Sequence, residues 1–258
     1  MTISKVDIAH AWIRRAFRDH PVDRCAVACS FGKDSEAVLH LVLQHEPNIK
    51  VIFCNTGIEF PETLAFRDLI VKKWNLNYHE AKSKDWSFVK IVKEYGLPKV
   101  RGKQNNSTPK CCQLLKDDPA FEMYHDLGID CIFWGLTAAE SRNRKLLSLR
   151  PFYDEDGQPI LGDDGSPCLG NYYRSHQQKL WKVAPIMDWT PEDVWQYIHE
   201  NDLPYNAFYD RCPGDRVGCA PCTAYNSWQK KMPYQSPKWF AWVRKQRSQT
   251  VLEDHGKE

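Results

Sequence analysis

Ten of the 258 residues are cysteine, and they sort by context. Cys25, Cys29, Cys54 and Cys131 lie within apolar runs and read as small buried hydrophobes. Cys168 sits in a Gly/Asp-rich stretch. The remainder crowd into two polar segments: Cys111-Cys112 and Cys219-Ala-Pro-Cys222, with Cys212 just upstream as a spare ligand or free thiol. Adjacent cysteines do not readily bridge each other, because disulfide geometry is specific. Clustered thiols without a ligand are also an oxidation liability. The Cys-Cys…Cys-x-x-Cys set therefore reads as a metal site. Four thiolates suit a [4Fe–4S] cluster or tetrahedral zinc, and the spacing does not choose between them.

A second group is Ser30-Phe31-Gly32-Lys33-Asp34-Ser35, which joins a short buried strand to a helix. Gly32 lets the backbone approach an anion closely. The helix that follows offers unpaired N–H groups and its positive dipole end. Lys33 adds a full charge, Ser30 and Ser35 supply hydroxyls, and Asp34 is placed to hold a metal or orient a leaving group. The loop is not a Walker sequence, which needs two glycines and Lys-Ser/Thr. An ordinary strand-to-helix turn is the alternative.

The elements that position these groups follow from periodicity. Residues 3–18 read as a docking helix, with Ile8/Trp12 and Ile13/Phe17 as i,i+4 pairs. Strands are expected at 25–29, 50–54, 77–81 and 131–134, with helices at 36–44, after Pro61, at 86–95 and at 112–125. Strands alternating with helices predict an α/β fold, a doubly wound and mostly parallel sheet flanked by helices. Ligands in such sheets sit at the carboxyl ends of the strands, where the polar segments 30–35, 55–60 and 135–145 fall. Turn signals at 154–157 and 163–166 predict a hairpin insertion. Thr190-Pro191 starts a further helix. The expected organisation is a docking helix (1–20), a nucleotide-binding α/β domain (21–150), a hairpin insertion (151–181) and a C-terminal helical and cysteine segment (182–258).

Composition narrows the classes. With 35 Lys+Arg against 33 Asp+Glu, the net charge of +2 gives no global pull toward nucleic acid or membrane. No apolar run is long enough for a membrane span, and the N-terminus lacks the apolar stretch of a secretory signal, so a cytoplasmic location is expected. The aromatic content of 12% excludes disorder. Trp228, Trp239, Trp242, Arg244, Lys245 and Arg247 near the C-terminus either stack on single-stranded nucleic acid or pack on the core.

Ser30-Phe-Gly-Lys-Asp-Ser35 resembles the pyrophosphate loop of the adenine nucleotide α-hydrolase superfamily, usually Ser-Gly-Gly-x-Asp-Ser. Asn55-Thr-Gly-Ile-Glu-Phe-Pro-Glu-Thr63 resembles the second motif of its phosphoadenylyl-sulfate (PAPS) reductase branch. Lys182-Val-Ala-Pro-Ile-Met-Asp-Trp-Thr-Pro-Glu-Asp-Val-Trp195 and Asn201-Asp-Leu-Pro-Tyr-Asn206 resemble that branch's segment after the sheet. Pro109-Lys-Cys-Cys-Gln-Leu-Leu-Lys116 and Gly218-Cys-Ala-Pro-Cys-Thr223 resemble the cluster segments of iron–sulfur adenylyl-sulfate (APS) reductases. The resemblance implies a [4Fe–4S] cluster on Cys111, Cys112, Cys219 and Cys222. It also implies that Lys116 lies between cluster and substrate, and that Asn55, Thr56, Gly57 and Gly135 line the nucleotide pocket. Glu140, Ser141, Arg142 and Arg144 form a charged run beside it, whose arginines are able to clamp phosphate.

The resemblance is incomplete. The reductases carry a C-terminal nucleophilic cysteine, whereas no cysteine follows Cys222 here. Thr137 stands where the reductases often have Arg, and Lys33-Asp34-Ser35 is retained as in ATP-cleaving relatives. These departures favour an enzyme that cleaves ATP to AMP and pyrophosphate in a sulfur-transfer reaction, with Lys33, Asp34 and Lys116 as catalytic residues and Mg²⁺ as cofactor. One alternative is a sulfonucleotide reductase that uses Cys212 or a partner's thiol. Another is a nucleotide-binding accessory subunit of a nucleic-acid modification or defence complex. Expected partners are ATP or an adenylyl-sulfate nucleotide, a sulfur donor or thiol reductant, and further copies of the chain in a homo-oligomer.

Overall fold

The computed structural model describes residues 4–99, 108–140, 142–148, 158, 171–175, 178–225 and 227–255. In chain order the elements begin with α1 (Lys5–Asp19), β1 (Cys25–Ala28), α2 (Lys33–Leu43), β2 (Lys50–Cys54), α3 (Pro61–Lys73), β3 (Asn77–Ala81) and α4 (Phe88–Tyr95). A short α5 (Lys110–Cys112) runs through a π turn (Gln113–Asp117) into α6 (Asp118–Asp126), followed by β4 (Cys131–Trp134) and α7 (Arg142–Ser148). The last elements are β5 (Tyr172–Ser175), β6 (Leu180–Val183), α8 (Pro191–Glu200), α9 (Phe208–Arg211), α10 (Trp228–Gln235) and α11 (Pro237–His255).

The strands form one sheet in the order β3-β2-β1-β4-β6-β5, with every neighbouring pair parallel except β5–β6. This is the expected α/β architecture. Side chains alternate across the sheet. Val27, Val51, Phe53 and Phe133 face α1, α2, α3 and α8 in the main core. Ala26, Ile52 and Ile132 face the other way, against Phe121 and Tyr124 of α6. Cys25, Cys29 and Cys131 are buried as expected, while Cys54 at the end of β2 is half-buried. Ser4 and Asp7 form a capping box on α1, and Thr190 and Asp193 form one on α8.

Several elements differ from the sequence expectation. The helix expected from residue 36 starts at Lys33, because Gly32 is its N-cap and Lys33-Asp34-Ser35 form its first turn. The helix expected over 112–125 starts at Lys110 and widens at 113–117, where the Asp118 amide reaches the Gln113 carbonyl. Pro119 explains the widening: it has no N–H for the carbonyl of Leu115, and its ring crowds that carbonyl in a regular helix. The predicted hairpin lies largely outside the described residues. Its described part is the β5–β6 hairpin, and β6 joins the main sheet beside β4. Ahead of α11, the helix that periodicity places over 236–252, lies a further helix, α10, and the two meet at Ser236 ahead of Pro237. Trp239 and Trp242 pack on Phe88, and Trp228 is buried, so these tryptophans face the fold. No helix among the described residues is long and apolar enough to cross a membrane.

Candidate nucleotide and thiol site

Loop 30–35 leaves the carboxyl end of β1 next to β4, where connections on either side of the sheet diverge. Phe31 takes a left-handed conformation (φ 55°), which costs a non-glycine residue about 1 kcal/mol. Packing and hydrogen bonding hold it there. Its ring is fully buried against Phe53 at 5.5 Å. Asn206, also fully buried, donates from Nδ2 to the Phe31 carbonyl (3.2 Å) and to Thr63 Oγ1 (3.1 Å), while its Oδ1 accepts the Phe208 amide (3.0 Å). Replacing Asn206 with alanine leaves those groups unpaired in the interior. We expect a loss of about 3 kcal/mol of stability, read as a lower urea midpoint; an unchanged midpoint would refute the clamp.

The loop's serines serve its own shape. Ser35 Oγ donates to the Gly32 carbonyl (2.9 Å), accepts the Ser30 amide (3.2 Å) and lies 3.1 Å from Ser30 Oγ. Lys33 Nζ donates to Asp34 Oδ1 at 2.7 Å, and both side chains are largely buried. The two residues expected to serve phosphate and Mg²⁺ separately are therefore paired with each other. Gly135 abuts the same turn: a Cβ there would lie 2.5 Å from the Asp34 carbonyl carbon and from the Ser35 amide. Glu140 and Arg144 form an ion pair, so this arginine is already matched. Ser141 and the side chain of Arg142 lie outside the described residues.

The second loop follows β2. Asn55 Oδ1 accepts the Gly57 amide (2.9 Å), shaping a turn whose left-handed φ of 76° suits glycine. Asn55 Nδ2 donates to Glu80 (2.9 Å), so its amide is engaged on both ends. Glu59 Oε1 accepts from the Thr56 amide (2.8 Å) and hydroxyl (2.6 Å). This loop also carries the thiol segment. Glu59 forms an antiparallel bridge with Cys219, the Ala220 amide donates to the Ile58 carbonyl (2.8 Å), and Thr56 Oγ1 lies 3.7 Å from Cys219 Sγ.

The four expected ligands lie within electrostatic reach of one another. A hydrogen bond with Cys112 raises the Cys111 thiol pKa most. Burial raises it further, as do the charges of Cys112, Cys222 and Cys219. Burial pushes Cys219 up to about 12, opposed by the Thr56 hydrogen bond and by the charge of Lys116. A turn brings the Cys222 amide to the Cys219 carbonyl at 3.2 Å. As they stand, the thiols are not in a ligating arrangement: among the described residues no three His, Cys, Asp or Glu side chains are set to hold a metal ion. Their chemistry nevertheless fits a cluster, because four thiols from two segments converge and a cation would favour their ionised form. Lys116 is exposed on the π turn, and its charge acts on Cys54 as well as Cys219. Cys212 stands apart, buried among Phe60, Phe208 and Tyr209, and burial raises its thiol pKa. Sequence reasoning named neither Asn206 nor Tyr209 as a site residue, although both lie in or just after the segment Asn201–Asn206.

The family model of the phosphoadenosine phosphosulfate reductase domain matches residues 24–225. The chain belongs to this family. Adenosine 5'-phosphosulfate reductase of Geobacillus kaustophilus (strain HTA426) is 30% identical over 214 residues, covering 83% of this chain and 77% of the relative. Among solved structures, PAPS reductase from Candida auris in a phosphate complex aligns with a TM-score of 0.57 at 19% identity, covering 85% of this chain and 97% of the other. The U34-tRNA thiolase NcsA from Methanococcus maripaludis, solved with its [4Fe–4S] cluster, aligns with a TM-score of 0.51 at 15% identity, covering 93% and 79%. These structural likenesses establish the shared fold. Together the comparisons support the sulfonucleotide reductase alternative over the ATP-cleaving reading.

Proposed function

We propose that the protein is a sulfonucleotide reductase acting on APS or PAPS with an external thiol reductant. The observation that carries the reading is the physical join between the nucleotide loops and the thiol set, through the Glu59–Cys219 bridge and the Thr56–Cys219 contact. In this reading the first turn of α2 and Lys33 hold the nucleotide's charged end, Asn55, Thr56 and Gly57 line the pocket, and Lys116 lies beside the sulfate. A [4Fe–4S] cluster on Cys111, Cys112, Cys219 and Cys222 would supply a compact, electron-rich centre that sets the field at the sulfate. A thiolate attacks the sulfate sulfur, and the sulfur–oxygen bond to the phosphate breaks, expelling AMP or its 3'-phosphate. A second thiol then displaces sulfite and leaves a disulfide. The buried position of Cys212 favours an external donor for both thiols.

The retained Lys33-Asp34-Ser35 favours a second reading, cleavage of ATP between its α and β phosphates with Mg²⁺ held at Asp34. An anaerobic preparation separates the two. We expect iron and visible absorption in the purified protein, sulfite from APS or PAPS with a dithiol, and no pyrophosphate from ATP. Pyrophosphate release without sulfite formation would replace the first reading with the second.

A further inference from the structure

We propose that the Tyr209 hydroxyl donates a hydrogen bond to the anionic end of the nucleotide held by loop 30–35. The inference rests on the reading of that loop as the nucleotide site and adds a residue to it from a distant part of the chain.

Tyr209 lies on α9, yet its hydroxyl reaches the start of α2. It accepts the Lys33 amide at 3.1 Å and lies 3.2 Å from where a Cβ on Gly32 would sit. The Lys33 N–H takes an acceptor place on that oxygen and leaves its O–H free to donate. No described residue accepts that proton. The hydroxyl is therefore a donor in waiting, beside the first turn of α2, where helix geometry leaves amides without intrahelical partners.

Its position is rigid. The residue is 8% exposed, and its ring meets Trp195 edge-on with centroids 5.2 Å apart. The Tyr209 amide donates to the Asn206 carbonyl at 3.0 Å, and the Asn206 side chain fixes Phe31 of the loop. Hydroxyl and loop are thus referenced to the same buried asparagine. Local electrostatics create the need for this donor. The Lys33 ammonium is already paired with Asp34, so an incoming phosphate or phosphosulfate meets a partly neutralised lysine. A neutral O–H beside the first turn of α2 adds a charge-assisted bond without adding charge. Burial raises the Tyr209 hydroxyl pKa, so it stays protonated throughout the neutral range.

The competing arrangement is a plug, in which the hydroxyl holds the Lys33 amide against the ligand. Tyr209→Phe distinguishes the two by sign, because it removes one oxygen and keeps the ring on Trp195. Calorimetry on the full chain uses AMP, which carries the anion, and adenosine, which does not. We expect Tyr209→Phe to weaken AMP about tenfold, with adenosine unchanged within about twofold. Tyr209→His, which retains a ring donor, should keep AMP within about threefold of the parent. Unchanged or tighter AMP binding by Tyr209→Phe would overturn the proposal, as would equal weakening of AMP and adenosine. A parent protein that binds neither compound would instead overturn the nucleotide reading itself.

Discussion

Gly135→Ala is expected to abolish nucleotide binding and to destabilise the fold. The added methyl would sit 2.5 Å from the backbone of Asp34 and Ser35. Those atoms belong to the first turn of α2 and are not the far end of a flexible side chain, so they cannot swing aside. Either β4 and its following loop withdraw from α2, or the turn deforms. Overpacking of this kind costs about 3 kcal/mol. The functional loss should be larger than the stability loss suggests. A shift of about 1 Å in a positioning element can reduce activity about 100-fold, and here the displaced atoms are the expected anion donors. The measurements are thermal unfolding and AMP calorimetry on the parent and Gly135→Ala. Parent-like affinity would show that the close approach of β4 to the loop is dispensable.

The second large effect concerns Glu36, one turn into α2. It is 1% exposed, and neither carboxylate oxygen has a hydrogen-bond partner. Burial raises its pKa to about 9, from 4.5. In the folded protein the group is therefore neutral at pH 7, whereas in the unfolded chain it is ionised. Folding takes up a proton between these two values, so this group's contribution is fully present below pH 4.5 and is lost progressively as pH rises toward 9. Glu36→Gln mimics the neutral form at every pH. We expect the variant to match the parent near pH 4 and to exceed its stability at pH 8 by on the order of 3 kcal/mol. Denaturant titrations at both pH values check this. Parallel pH profiles for the two proteins would show that Glu36 carries no buried proton.

The inner strands β1, β2 and β4 were legible because each is a short apolar run ending in a polar loop, as in Cys25–Ala28 before Ser30. By contrast β6, Leu180–Val183, runs on into the apolar segment 184–187 and was not legible. The thiol segments were legible because Cys-Cys and Cys-x-x-Cys are dense local signals. Asn206 and Tyr209 were not, because their partners Phe31 and Lys33 lie more than 170 residues earlier and no local pattern encodes the pairing. The π turn was hidden for a different reason. The periodicity of 110–126 fits an ordinary helix, and only the carbonyl that Pro119 cannot satisfy reveals the wider turn. The expected arginine clamp was legible as charge alone; the structure supplies the partner, Glu140, that already occupies Arg144.

The single β-bridge between Glu59 and Cys219 makes the pocket lip and the sulfur-bearing turn one mechanical part. Displacing the Cys219 turn, for example by oxidation of its thiols, must tug on Thr56 and Glu59. Damage at the thiols therefore reaches the loop after β2, the proposed nucleotide lip, through a single bridge.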